Sequence, residues 1–250
     1  MSRIRAEGVD VSGVVRDPEA PTSLMFKERR TAELVRVTYY RRNGPGSRLE
    51  PGDLDPAQVA AAGVLHLTGI TPALGPSARA TVDHAVELAR SAGVPVSFDL
   101  NYRSALWPPE RAAAVCRELA GRADIVFASD DEAELLGLEG DPPDLARGLA
   151  ALAGGHAVVK LGERGAVAAV DGQAYAVEPV PVRAVDPVGA GDAFVAGYLA
   201  ETLAGRPVPE RLATAAACGA FAVTVPGDWE GLPSRDELAA LGRRPGTVHR

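Results

Sequence analysis

Cysteine is nearly absent from this chain of 250 residues: only Cys116 and Cys218 occur, far apart and without CxxC or CxxH spacing. That excludes a disulfide framework and a cysteine-rich structural zinc site, and it fits a reducing cytoplasm. Long apolar runs are missing too. None approaches the ~20 residues that a membrane helix needs, so no membrane partner is expected. Residues 1–8 are charged and lack the apolar core of a secretory signal. Positive charge is in deficit, with 26 Lys and Arg against 33 Asp and Glu, net −7. This argues against a broad basic face and therefore against nucleic acid as a partner. An anionic small molecule needs only local positive charge and is not excluded. Internal repeats and low-complexity linkers are also lacking.

What is present is an alternation of short β-branched runs and longer Ala/Leu/Arg runs from about residue 64 onward. Strands are predicted at 64–68, 94–98, 124–128 and 157–161. Helices are predicted at 76–92, 108–120, 130–136 and 144–153. The first of these places Ala80, His84, Leu88 and Ala92 on one stripe and is stopped by Gly93. The β-α-β-α order is that of an α/β protein with a mostly parallel sheet covered by helices. Residues 166–170 and 173–177, joined by Asp171-Gly172, read as a hairpin. Helices follow at about 192–204, 209–223 and 234–241. Ahead of the core, residues 22–27 and 33–41 alternate like two strands with exposed faces, turning near Arg29-Arg30. They read either as a lid over an active site or as an edge hairpin.

The most informative segment is Asp186-Pro187-Val188-Gly189-Ala190-Gly191-Asp192-Ala193-Phe194. Its small residues let the backbone approach a ligand. A helix predicted to start near Asp192 turns its unsatisfied N–H groups toward the loop, which makes an anion site without any lysine. Asp192 is ordinarily read as a helix-capping carboxylate. In such a loop it also suits a general base that takes a proton from an attacking hydroxyl.

The string Asp-x-x-Gly-Ala-Gly-Asp-Ala-Phe, after a hairpin and opening a helix late in an α/β chain, resembles the C-terminal signature of the ribokinase-like (PfkB) carbohydrate kinases. The resemblance implies a three-layer ribokinase-like fold. Residues 1–250 would form a single domain, with a β lid at about 20–42. It implies Asp192 as the catalytic base at the acceptor hydroxyl, and the amides of Gly189, Ala190, Gly191 and Asp192 as the anion hole. ATP and Mg2+ are the implied cofactors, with a monovalent cation such as K+ a further candidate near Asp186. Pro187 stands where many members carry threonine, and it keeps the turn.

Supporting segments occur in family order. Lys160, Gly162 and Gly165, in Lys-Leu-Gly-Glu-Arg-Gly, resemble the strand end and turn that pack on the nucleotide; alone they would be a plain turn. Ser129-Asp130-Asp131-Glu132 takes the place of the family's Asn-x-x-Glu motif. Glu132 would reach magnesium through water, while Ser129 departs from the pattern. The bland alternative is that these acids only favour a helix start. Gly219 and Gly227 fall on the implied adenine side.

Three further stretches are similar to the 2-keto-3-deoxygluconate kinases of that family: Val37-Thr38-Tyr39-Tyr40-Arg41, residues 65–74, and Phe98-Asp99-Leu100-Asn101-Tyr102-Arg103 with Leu106-Trp107. In that group the first and third contact substrate and nucleotide. Arg41 and Arg103 would fork the carboxylate of a sugar acid. Arg42 is an alternative to Arg41. Tyr39 would meet a sugar hydroxyl, and Asn101 and Arg103 would also reach ATP. The alternatives are another PfkB sugar kinase, such as a fructokinase or ribokinase, or a truncated nucleotide-binding remnant. The family's lid strands imply a homo-oligomer. The match begins mid-pattern: residues 2–10 resemble the helix end and turn before the lid, and the family's first core strand and Gly-Gly pair are not seen. On this basis the 250-residue chain is expected to be poorly soluble or inactive, and an upstream extension to restore both.

Overall fold

The computed structural model describes residues 1–29, 35–41 and 43–240. The chain forms two compact units, Met1–Ile125 and Val126–Arg250.

The first unit opens with the short helix α1 (Ser2–Ala6) and a two-stranded antiparallel ribbon, β1 (Leu24–Arg29) with β2 (Val35–Tyr40). The turn expected near Arg29-Arg30 lies outside the described residues. Cross-strand partners share a face, so the pairing of Leu24 with Tyr40 and of Phe26 with Thr38 puts Leu24, Phe26 and Tyr40 on one side. Phe26 meets Tyr40 edge to face at 5.6 Å, and both rings are exposed. Met25 and Tyr39 lie on the other side. After α2 (Pro56–Ala60), strand β3 (Leu65–Thr68) crosses over through α3 (Ile70–Ala73) and α4 (Pro76–Ser91) to the parallel strand β4 (Val96–Asp99). Helix α5 (Pro109–Ala120) follows.

The buried stripe of α4 is Ala78, Thr81, Val82, Ala85, Val86 and Ala89. This corrects the expected one: Ala80 and Ala92 are exposed, and His84 and Leu88 only half-buried. An i,i+4 row exists on every face of an Ala-rich helix, and here the row carrying Val82 and Val86 buries the larger area. The solvent side of α4 is tied to the end of α5 by charge. Asp83 accepts from Arg79 at 2.8 Å and from Arg122 at 2.6 Å.

In the second unit, β5 (Ile125–Ser129) leads through α6 (Asp130–Leu135) and α7 (Pro142–Leu152) to β6 (His156–Lys160), parallel to β5. Helix α7 starts two residues earlier than expected, because Asp141 caps it and Pro142 fits its first turn, where no N–H is needed. β7 (Ala166–Val170) and β8 (Gln173–Val177) continue the sheet antiparallel as the predicted hairpin. Asp171 and Gly172 both take positive φ, 50° and 82°, as a tight two-residue turn requires. Helices α8 (Ala190–Leu203), α9 (Val208–Ala222) and α10 (Arg235–Ala240) complete the unit. α8 is apolar nearly all round and buried on most sides.

One buried polar pair sets a pH dependence. His156 Nε2 lies 2.7 Å from the Tyr198 hydroxyl. Burial, reinforced by the Arg211 charge, brings the imidazole pKa down to about 4. Burial likewise pushes the Tyr198 phenol up to about 12. A folded pKa below the unfolded value means that the contribution is fully present above about pH 6.5 and is lost as pH falls toward 4. Between pH 7.5 and 5 the wild type should therefore lose about 2 kcal/mol more stability than His156→Gln. Denaturant titrations at the two pH values check this, and equal losses would remove His156 as the cause.

Candidate active site

The phosphate-loop candidate lies wholly in the second unit. Asp186 is buried, and its two carboxylate oxygens accept from Val188 N at 3.2 Å and Gly227 N at 3.3 Å. The N–H groups of Val185 and Asp186 both donate to Val223 O, at 2.7 and 3.1 Å. The turn is thus held from behind by the chain that leaves α9. Pro187 keeps the turn closed, its carbonyl accepting from Ala190 N at 3.4 Å. Gly189 then takes φ 84° as the N-cap of α8. A Cβ there would sit 2.0 Å from Asp228 O, so both conformation and space demand glycine.

The helix begins at Ala190, not near Asp192. Asp192 is therefore not the capping residue; it stands in the first turn, exposed to solvent, with Gly191 exposed beside it. The first-turn N–H groups of α8 have no partner within the helix and concentrate positive potential at this loop. Lys160, expected from the sequence on the nucleotide side, is a second positive source. Lys160, at the end of β6, brings its Nζ to 3.7 Å from where a Cβ on Gly191 would lie. The loop reads from sequence as an anion site that needs no lysine, and the Lys160 ammonium stands beside the same helix terminus.

Of the remaining second-unit candidates, Gly219 and Gly227 approach the loop. Gly162 and Gly165 both take positive φ, 60° and 85°, in the turn after β6. Gly219, on α9, approaches Ala190 O, to which a Cβ would come within 3.3 Å. Gly227 is the residue that donates to Asp186. Ser129 and Glu132 form a reciprocal capping box at the start of α6: Glu132 N donates to Ser129 Oγ at 3.1 Å, and Ser129 N to Glu132 Oε2 at 2.8 Å. Serine in place of asparagine thus retains a definite local task.

In the first unit the candidates gather at the end of β2 and after β4. The guanidinium of Arg41 stacks on the Tyr39 ring, 4.3 Å from its centroid, an arrangement favoured by the electron-rich face. Residues i and i+2 of an extended chain share a face, which is the signal that could have revealed the pair. Arg41 Nε is buried and has no hydrogen-bond partner among the described residues. Burial lowers the Arg41 pKa, Tyr39 opposes that shift, and the Arg103 charge adds to it. The two arginines are electrostatic neighbours, Arg41 half-buried and Arg103 exposed. Arg42 lies outside the described residues. Asp99 ends β4 and is buried, and Asn101 is buried with φ 41°, a region that asparagine tolerates better than most residues. Among the described residues no group of three or more His, Cys, Asp or Glu side chains is placed to hold a metal ion. No described helix is long and apolar enough to cross a membrane.

Residues 1–235 match the family described as pfkB family carbohydrate kinase. The 2-dehydro-3-deoxygluconokinase of Bacillus subtilis (strain 168) is 36% identical over 252 aligned positions, covering 100% of this chain and 78% of that protein. The enzyme of the same name from Thermoproteus tenax is 37% identical, over 95% of this chain and 73% of its own. The structure of fructokinase from Vibrio cholerae O395 in its fructose-, ADP- and calcium-bound form superposes with a TM-score of 0.84, covering 96% of this chain and 79% of that one at 26% identity. The chain belongs to the pfkB family of carbohydrate kinases, and its fold is ribokinase-like. It is a carbohydrate kinase whose relatives include 2-dehydro-3-deoxygluconokinases.

Proposed function

We propose that the chain transfers the γ-phosphoryl group of ATP to the 6-hydroxyl of 2-keto-3-deoxygluconate. The observation that carries the choice of a sugar acid is the Arg41–Arg103 pair. Two neighbouring arginines repel, and a buried Nε–H without an acceptor costs stability unless something anionic completes the group. A neutral sugar gives no reason for either; a carboxylate satisfies both. Tyr39 holds the Arg41 plane in place.

In this reading Asp192 accepts the proton of the attacking hydroxyl as the new O–P bond forms, and the bond from the γ-phosphorus to its bridging oxygen breaks to release ADP. The amides of Gly189, Ala190, Gly191 and Asp192, with Lys160, stabilise the charge on the transferring group. Lys160, Gly162, Gly165, Gly219 and Gly227 belong to the nucleotide side, as do Asn101, Arg103 and Ser129. Glu132 is the carboxylate that would hold Mg2+ through water. A single carboxylate fits this ion, which retains several waters and takes other ligands from phosphates, and when bound it neutralises phosphate charge. K+ remains a further candidate cofactor. Buried, unbridged Cys116 and Cys218 accord with a cytoplasmic setting. The exposed Leu24, Phe26 and Tyr40 face accords with a homo-oligomer, which light scattering would register as a mass above 25.9 kDa.

The test is a coupled ADP-release assay with the sugar acid and with fructose and ribose. Arg41→Met should lower kcat/KM for the acid by about a hundredfold, the cost of truncating one partner of a charged hydrogen bond, with KM for ATP little changed. Preference for a neutral sugar would make the chain a fructokinase or ribokinase instead. ADP binding without turnover on any of these sugars would favour a nucleotide-binding remnant.

A further inference from the structure

Glu201 is an anomaly on α8. The helix is apolar nearly all round, yet this carboxylate side chain is only 7% exposed. A buried carboxylate is tolerated when a cation meets it. Among the described residues, the cation at hydrogen-bond distance is Arg235, whose Nη1 donates to Glu201 Oε1 at 2.7 Å; Arg206 stands further off at 3.9 Å. Arg235 lies 34 residues along the chain, in the first turn of α10. Its own side chain is 70% exposed, so the ion pair exists at α8 and not in a general core.

The stretch that Arg235 ends is the one that backs the phosphate loop. It begins at Val223, whose carbonyl accepts both Val185 N and Asp186 N. Its Gly227 N–H donates to Asp186, and its Asp228 carbonyl fills the space a side chain on Gly189 would need. Gly231 then folds back on the end of α9, where a Cβ would meet Ala222 O at 2.8 Å. The Ser234–Glu237 capping contacts start α10 and so fix where Arg235 emerges. Leu238 packs on Ala193, Cys218 and Ala222, and Ala193 is the neighbour of Asp192. The segment is thus fastened at Val223, pressed against the loop at 227–228, and fastened again at Arg235 and Leu238.

We infer that Glu201 is a positioning residue for the Gly189–Asp192 loop. Through Arg235 it tensions the 223–235 segment, so that Gly227 and Asp228 hold the loop in its anion-binding shape. This rests on the reading of that loop as the phosphate site. A hydrophobic residue at 201 would suit the helix as well for packing alone; the carboxylate is explained by what it holds.

The experiment compares wild type, Arg235→Ala, Arg235→Lys and Glu201→Gln in the full chain. Three quantities are read: melting temperature, amide exchange of peptides covering 225–231, and calorimetric affinity for ADP. Arg235→Ala should speed exchange in 225–231 and weaken ADP binding, each by about fivefold, the scale of one partly exposed charged hydrogen bond. Arg235→Lys, which keeps the charge, should recover most of both. Glu201→Gln, which preserves volume, should resemble Arg235→Ala and covers the case in which that variant folds poorly. A fall in melting temperature with unchanged ADP affinity would overturn the proposal, leaving the pair a structural contact only. Unchanged exchange in 225–231 would overturn it as well. If wild type itself fails to bind ADP, the phosphate-site reading fails with it, while the exchange result still decides whether the tether holds the segment.

Discussion

Asp192→Asn should lower kcat by about 10²- to 10⁴-fold, the usual worth of a positioned general base, while ADP affinity stays within a fewfold of wild type. Asn is isosteric and sits equally well in the first turn of α8, so the fold has no reason to change. It cannot take a proton at neutral pH. Removing a negative charge beside the N–H groups of α8 and Lys160 would, if anything, strengthen binding of a phosphate there. The combination of lost turnover with retained or improved nucleotide affinity is therefore the signature of a base. A purely helix-stabilising acid, which the first-turn position also allows, predicts something else: a modest drop in melting temperature and a rate within a fewfold of wild type. Single-turnover measurements with the sugar acid separate the chemical step from product release, and a variant that reacts at the wild-type single-turnover rate would remove Asp192 from the mechanism.

The loop proposed to hold phosphate stood out in sequence because its signal is local. Small residues in a row, followed by an apolar helix, define backbone access and a helix terminus together. The helix start was nonetheless misplaced, since three small residues read as loop, whereas only Gly189 of the three takes a left-handed conformation and Ala190 and Gly191 are already helical. Strand and helix order was legible for the same local reason, including the Asp171-Gly172 hairpin. What escaped was set by partners distant in the chain. Lys160 was expected on the nucleotide side, but nothing near it announces its approach to Gly191, and nothing near Glu201 announces Arg235. The buried face of α4 escaped for a different reason, because an alanine-rich helix offers several rows of similar apolarity and only packing chooses among them. Arg41 was proposed from the resemblance of Tyr39-Tyr40-Arg41 to sugar-acid kinases, but that its plane rests on Tyr39 and its field includes Arg103 required coordinates.

The two glycines of the loop should fail differently, and the difference tests what the loop is for. Gly189→Ala puts a Cβ 2.0 Å from a backbone carbonyl, that of Asp228, and asks alanine to hold φ 84°. Left-handed alanine costs about 1–2 kcal/mol before any clash is counted. The carbonyl belongs to a segment fastened on both sides and cannot swing aside as a side chain would. This variant should melt several degrees lower and lose ADP binding by about a hundredfold or more, since the N–H groups and Asp192 are displaced together. Gly191→Ala meets no such obstacle. Its backbone is helical, its nearest neighbour would be Lys160 Nζ at 3.7 Å, and alanine is the better helix former by about 1 kcal/mol. Its melting temperature should hold or rise. Yet the added methyl group stands beside the ammonium and the helix terminus, where the proposed phosphate would rest, so ADP affinity should still fall, by about tenfold. Intact stability with weakened nucleotide binding at Gly191 is what an anion hole predicts and what a tight strand-to-helix turn does not. If Gly191→Ala binds ADP as wild type does, the small residues of this loop serve the fold alone, and the phosphate must be held elsewhere.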